Sequence, residues 1–244
     1  MAICYFKEIE ALRVLENLKT QVLEANLEIV RRGLVLYTFG NASGIDRESG
    51  LIAIKPSGVP YESMKPSDLV VTDLNGRIVE GSLRPSSDLS THLHLYRQFP
   101  SIGGVVHTHS EYATAWAQAG REIPAFGTTH ADYFYGPVPV TDELSNEEVA
   151  GDYVLNTGVA ITRRFKGLDP IAVPGVLVRG HAPFAWGKTA TDAAHHAVIL
   201  ESVARMAYYT STLNAACGGI SQTLLDRHHF RKHGPSATYG QKKS

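Results

Sequence analysis

The chain has 244 residues, of which 43% are hydrophobic and 19% charged, a composition typical of a globular domain. The formal charge of −1 excludes an overall basic field, so neither nucleic acid nor a membrane surface is expected as a partner. Cys4 and Cys217 form no pairing motif, and no apolar run approaches the roughly 20 residues of a membrane span. We therefore expect a cytoplasmic protein.

The first third of the chain predicts one long helix followed by short strands. Apolar residues recur at helical spacing from about Phe6 to Arg32, and Gly33 supplies a C-terminal stop. Strands are predicted over residues 34–37 and 51–54, separated by the turn-rich stretch Gly40–Gly44. A hairpin over residues 69–72 and 77–79 is indicated by its Asn75-Gly76 turn.

The remainder of the chain predicts further helices and strands in an irregular order. Helices are expected over residues 90–97, 111–119, 191–209 and 221–232, and strands over 102–106 and 176–178. Acidic residues at 142–152 indicate an exposed loop or the start of a helix. The alternation is too irregular for a doubly wound parallel sheet. A single α/β domain, with short strands and helices on both sides, fits better.

The strand over residues 102–106 ends in a His-x-His pair, His107 and His109. Successive strand side chains alternate between faces, so these two imidazoles project to the same side. Neutral imidazole is a common ligand for zinc and similar cations. Two ordinary histidines remain an equally good interpretation of the pair alone.

His181 also lies just past a strand end, and three histidines with one carboxylate form the ligand set of an open metal site. Asp88 is the candidate carboxylate, although its spacing alone favours a role as the cap of the helix that follows. Other histidines compete as the third or fourth ligand, namely His92, His94 and His130.

Three small-residue turns could bind phosphate through backbone N–H groups: Gly40-Asn41, Ser57-Gly58 and Ser86-Ser87. None matches a P-loop or dinucleotide fingerprint, and each alone could be only a turn. Lys55 adds a cation beside the second turn. Asp132 and Tyr239 carry groups that can transfer protons, although neither stands out on pattern alone.

Eight stretches of the sequence match the motifs of one family. They are Gly40–Ser43, Ile54–Val59, Pro85–Asp88, His107–Ser110, Gly127–Gly136, Pro174–Val178, His181–Lys188 and Leu224–Gln241. From about Leu18 to Gln241 the chain thus resembles the L-ribulose-5-phosphate 4-epimerases of the class II aldolase/adducin family. The stretch Thr128–Phe134 and the tail that carries Tyr239 are particular to the epimerase branch.

The resemblance implies one domain over residues 1–244, with an N-terminal extension (1–15), a C-terminal tail (234–244) and a central, mostly antiparallel sheet flanked by helices. It implies that a divalent ion, zinc by preference or manganese, is held by Asp88, His107, His109 and His181. The implied substrate contacts are Gly40, Asn41, Ser57, Gly58, Ser86 and Ser87, with Lys55, Thr128, His228 and Arg231 around the site. Asp132 and Tyr239 would be the acid–base residues, Tyr239 coming from a neighbouring subunit of a homotetramer.

The implied reaction inverts carbon 4 of a phosphorylated pentulose. That carbon is not α to the carbonyl, so its proton is not acidic, and the bond between carbons 3 and 4 must instead break and re-form. One departure is Val154, at a position where better-known members carry a glutamate. The alternatives are an aldolase that releases its products, which should lack the acid–base pair, and a non-catalytic adducin-like module, which should lack an intact ligand set.

Overall fold

The computed structural model describes residues 2–233 and 237–238, with the backbone alone for residues 2–11. Its described strands are Asn41–Asp46 (β1), Leu51–Ile54 (β2), Val70–Thr72 (β3), Ile78–Glu80 (β4), Gly104–His107 (β5), Gly175–Leu177 (β6) and Pro183–Gly187 (β7). They form one sheet in the order β4-β3-β2-β1-β5-β7-β6. Every neighbouring pair of these strands is antiparallel.

Helices cover both faces of this sheet. They are Ala2–Arg31 (α1), Leu89–Gln98 (α2), Glu111–Gln118 (α3), Thr128–Ala131 (α4), Asn146–Ala150 (α5), Tyr153–Arg164 (α6), Ala190–Leu213 (α7) and Gln222–His233 (α8). Consecutive side chains of β5 enter different cores: Val105 packs with residues of α2 and α3, and Val106 with residues of α1. No described helix is both long and apolar enough to cross a membrane.

The predicted α/β domain with a mostly antiparallel sheet and helices on both sides is confirmed. The predicted strand at 34–37 is wrong, because the strand begins at Asn41, within the stretch predicted as a turn. Its small residues are explained by close packing, since a Cβ on Gly44 would lie 2.9 Å from the Val22 side chain. The helix α6 and the strand β7 were not predicted.

Antiparallel pairing brings several strand ends to one edge of the sheet. Asn41, the first residue of β1, pairs with His107, the last residue of β5. His107 also pairs with Phe184, near the start of β7. The loop after β2 starts beside them, where the Lys55 N–H donates to the Ala42 carbonyl at 3.4 Å. Residues distant in sequence therefore meet at this edge.

Gly104 lies where β5 passes beneath the start of α7. A Cβ there would lie 2.4 Å from the Thr189 carbonyl oxygen and 2.5 Å from the Ala190 backbone nitrogen. Both are steric clashes, and because the atoms belong to the backbone, they cannot move away without distorting it. Gly104→Ala should therefore lower the free energy of unfolding by about 3 kcal/mol, measured by urea denaturation. Gly218→Ala, where a Cβ meets nothing within 4 Å, is the control. Equal urea midpoints for the two variants would contradict this packing argument.

Candidate metal and phosphate site

Three histidines meet at this sheet edge: His107, His109 and His181. One potential ligand atom from each lies within 4.8 Å of the others. Nε2 of His107 and Nε2 of His109 are 3.1 Å apart, close to the ~3.3 Å that two nitrogens at typical zinc–nitrogen distances make around a tetrahedral ion. Nδ1 of His107 donates to the carbonyl of Pro183 at 2.9 Å, which leaves its Nε2 lone pair free for a metal.

The pKa of each of the three imidazoles is lowered, which favours the neutral form. Burial lowers the pKa of His107 and of His109. Burial, reinforced by the two neighbouring histidines, lowers the pKa of His181 to about 4. Because a metal binds imidazole through an unprotonated nitrogen, these shifts favour binding of a cation at neutral pH.

Asp88 lines the same cavity as the histidines. It occupies the N-cap position of α2, but its side chain makes no capping hydrogen bond, so the capping role favoured by spacing alone is wrong. Its carboxylate instead accepts a 2.6 Å hydrogen bond from Nδ2 of Asn41. Burial opposes ionisation, whereas the hydrogen bond from Asn41 favours the charged form, and the pKa of Asp88 lies below its usual value. An ionised carboxylate beside neutral imidazoles fits a divalent cation.

The competing histidines have other contacts. Nδ1 of His92 is 2.7 Å from the Ser43 hydroxyl in the buried core. His94 contacts Thr162, and His130 contacts the carbonyl of Gly136. None of the three belongs to the metal-compatible group of the described residues.

The cavity beside the histidines has a volume of about 550 Å³, in the range of small-molecule sites. The predicted small-residue turns line it: Gly40, Asn41, Ser57, Gly58, Ser86 and Ser87. Two loops hold these turns together, since the Ser57 N–H donates to the Arg84 carbonyl and the Ser86 N–H to the Lys55 carbonyl. Oδ1 of Asn41 is buried and has no partner among the described residues.

Lys55 is 2% exposed and lines this cavity. Its ammonium group donates to the Pro56 carbonyl at 3.2 Å and lies 4.5 Å from the centre of the Tyr61 ring. Burial lowers the pKa of Lys55, and no carboxylate of the described residues pairs with it. A buried cation without a counter-charge favours binding of an anion.

Asp132 follows α4 and lies in a separate cluster with residues of α8. It is not among the residues that line the cavity. His228 Nδ1 and the Arg231 guanidinium each lie 3.0 Å from its carboxylate, and the Lys232 ammonium lies at 3.4 Å. Burial opposes ionisation, but hydrogen bonds from these groups lower the pKa of Asp132. Thr128 is the exposed first residue of α4 and is also outside the cavity lining.

Two aromatic residues of the cavity were missed by the sequence analysis. Phe39 lies edge-on to His109, with ring centroids 6.0 Å apart, and Tyr153 contacts His181. Phe39 lies beside the segment wrongly predicted as a strand, and Tyr153 begins a helix that was not predicted, so no strand-end pattern marked them. Val154 also lines the cavity, at the position where a glutamate was expected. Tyr239 lies outside the described residues.

These observations define a class of protein: an antiparallel α/β domain with a candidate metal site at one sheet edge. Residues 20–208 match the family described as class II aldolase and adducin N-terminal domain. The chain belongs to this family.

Solved structures with the same fold include several aldolases. An L-fuculose 1-phosphate aldolase shares 26% identity at a TM-score of 0.73, over 87% of this chain and 94% of that one. The L-fuculose-1-phosphate aldolase of Thermus thermophilus shares 24% at a TM-score of 0.65, over 83% and 99%. An aldolase II superfamily protein from Pseudomonas syringae shares 14% at a TM-score of 0.70, over 91% and 88%. The last two proteins are less than 25% identical to this chain, so their similarity shows only that the fold is shared.

Proposed function

We propose that this protein is a divalent-metal-dependent epimerase that interconverts L-ribulose 5-phosphate and D-xylulose 5-phosphate. The observation that carries the proposal is one cavity lined both by three clustered histidines with an aspartate and by a buried lysine that no described carboxylate pairs. The first set suits a cation and the second an anion. A phosphorylated ketose, which chelates a metal through its oxygens and ends in a phosphate, satisfies both.

Lys55 and the small-residue turns would hold the phosphate. The ammonium group supplies the charge, and the hydroxyls of the turns, with the backbone N–H groups that do not join the two loops, supply hydrogen bonds. Anchoring the phosphate matters for this reaction, because the aldehyde fragment must rotate between cleavage and re-addition without leaving the cavity. The buried Oδ1 of Asn41 would accept a hydrogen bond from a substrate hydroxyl.

Asp88, His107, His109 and His181 would hold the divalent ion, zinc or manganese. When bound, such an ion supplies Lewis-acid stabilisation for the negative charge that develops on the ketose oxygens during cleavage. The protein's own contribution is to keep the imidazoles neutral through burial and to orient the Asp88 carboxylate through Asn41.

Proton transfer would fall to Asp132 and Tyr239, on opposite sides of the aldehyde. The lowered pKa keeps Asp132 unprotonated, so its carboxylate can accept the proton of the carbon 4 hydroxyl, and a phenol can return a proton. Asp132 does not line the cavity of its own chain, so in the proposed site it would come from a second subunit, as Tyr239 would. We therefore include a homo-oligomer in the proposal, a tetramer as the resemblance implies.

The second candidate is a class II aldolase that cleaves a ketose 1-phosphate. The structural similarity to an L-fuculose 1-phosphate aldolase at 26% identity favours it. The sequence favours the epimerase through the segment Thr128–Phe134 and through the retained Asp132 and Tyr239. A non-catalytic adducin-like module is disfavoured, because the ligand set is intact.

Removal of the metal should abolish activity. Purified protein is expected to convert L-ribulose 5-phosphate to D-xylulose 5-phosphate, and prior chelation should lower the rate by about 100-fold or more, since a Lewis acid contributes several kcal/mol. Zinc or manganese should restore the rate in a coupled assay. Fully metallated protein that fails to convert this substrate but cleaves L-fuculose 1-phosphate would establish the aldolase instead.

A further inference from the structure

Tyr153 is the first residue of α6 and reaches the candidate metal site from outside the sheet edge. Its hydroxyl lies 3.3 Å from Nδ1 of His181, and the two ring centroids are 6.0 Å apart. The residue lines the cavity together with His181 and Val154. Tyr153 belongs neither to the candidate ligands nor to the phosphate-binding turns, so its place beside His181 needs another explanation.

The contact determines which nitrogen of His181 can bind a metal. When Nδ1–H of His181 donates to the phenol oxygen, Nε2 carries the lone pair and is available to a metal. His107 shows the same arrangement, with Nδ1 bound to the Pro183 carbonyl. Metal-binding histidines commonly use their second ring nitrogen in this way, which fixes the orientation of the ring.

His181 needs such support more than His107 does. His107 belongs to a strand, is 2% exposed and stacks on Phe184 at a centroid distance of 4.2 Å. His181 lies in the turn between β6 and β7, directly after Gly180, whose φ is +70°. Among the described residues, Tyr153 supplies the hydrogen bond to the His181 ring.

Tyr153 is itself held in place by the start of its helix. The Asp152 side chain caps α6 by accepting from the Leu155 N–H at 3.1 Å. The Thr91 hydroxyl of α2 donates to the Val154 carbonyl at 2.5 Å. The phenol is therefore attached to a fixed backbone, as a residue that orients another side chain requires.

We propose that Tyr153 is a positioning residue that holds His181 with Nε2 directed toward the ion. The inference rests on the proposed metal site. Tyr153→Phe removes only the hydroxyl and should raise the Zn²⁺ dissociation constant about 10- to 100-fold, the effect typical of losing such a partner. Competition with a chromophoric chelator measures this constant, and the Co²⁺ absorption spectrum of the variant should change as well.

The matched control is Tyr209→Phe. It removes a phenol that is hydrogen-bonded to the Tyr112 hydroxyl at 3.0 Å, outside the residues that line the cavity, and should leave Zn²⁺ affinity unchanged. Because Tyr153 acts through the ion, saturating Zn²⁺ should restore the epimerase activity of Tyr153→Phe.

Two results would overturn the role of Tyr153 alone. One is that Tyr153→Phe binds Zn²⁺ with the affinity of the wild-type protein, while His109→Ala has lost the ion that the wild-type protein binds. The other is a loss of activity that saturating Zn²⁺ does not repair. A wild-type protein that binds no ion would instead overturn the proposed function, and the role of Tyr153 with it.

Discussion

Replacement of His109 by alanine is expected to abolish high-affinity Zn²⁺ binding and to lower epimerase activity by about 1,000-fold or more. The loss of this imidazole reduces the candidate ligand set from four residues to three and weakens ion binding, and about 4 kcal/mol of transition-state stabilisation would disappear with the ion. Metal content per chain, measured by mass spectrometry after dialysis, and turnover of L-ribulose 5-phosphate provide the two readouts.

His109 is a better target than His107 because the fold depends on it less. His107 is buried in β5 and stacks on Phe184, so its removal would also destabilise the core. His109 lies past the strand end and is only half-buried. His94→Gln, which removes an imidazole bound to Thr162 outside the cavity lining, should retain both metal and activity. A His109→Ala protein that keeps its zinc would remove His109 from the ligand set.

The part of the site that could be predicted from sequence is the part attached to strands. The apolar run before His107 predicted a buried strand, and period-2 alternation then placed His107 and His109 on one side. Both expectations agree with the structure, in which β5 ends at His107 and the two Nε2 atoms are 3.1 Å apart. The local pattern was sufficient for His107, which the strand backbone orients directly, and His109, two residues past the end of β5, still projects to the same side.

The parts that local patterns alone could not predict depend on contacts between distant segments. Asp88 has the local sequence of a helix cap, and only Asn41, 47 residues earlier, shows that its carboxylate faces the cavity instead. β1 was missed because its small residues read as a turn, although packing against α1 requires them. Tyr153 follows an acidic stretch whose pattern did not distinguish a loop from a helix start.

A second large effect is expected from Asp132→Asn, which should lower epimerisation by about 100- to 10,000-fold, the usual contribution of a general base. Metal content should remain that of the wild type, because Asp132 lies outside the cavity lining. Asp226→Asn is the matched control on α8: its carboxylate accepts from the Tyr135 hydroxyl, and activity should be nearly unchanged. Full activity of Asp132→Asn with intact metal would refute the assignment of the base.

Mixed oligomers of His109→Ala and Asp132→Asn then determine where Asp132 acts. Suppose that the cavity of one chain uses Asp132 of another chain. A site that combines the metal ligands of an Asp132→Asn chain with Asp132 of a His109→Ala chain then has the wild-type residue at both positions. Co-expressed, doubly tagged oligomers should then recover roughly a quarter of wild-type activity, the share of such sites in random assembly. If both groups act within one chain, every site lacks one of them, and co-expression restores nothing above the two inactive parents.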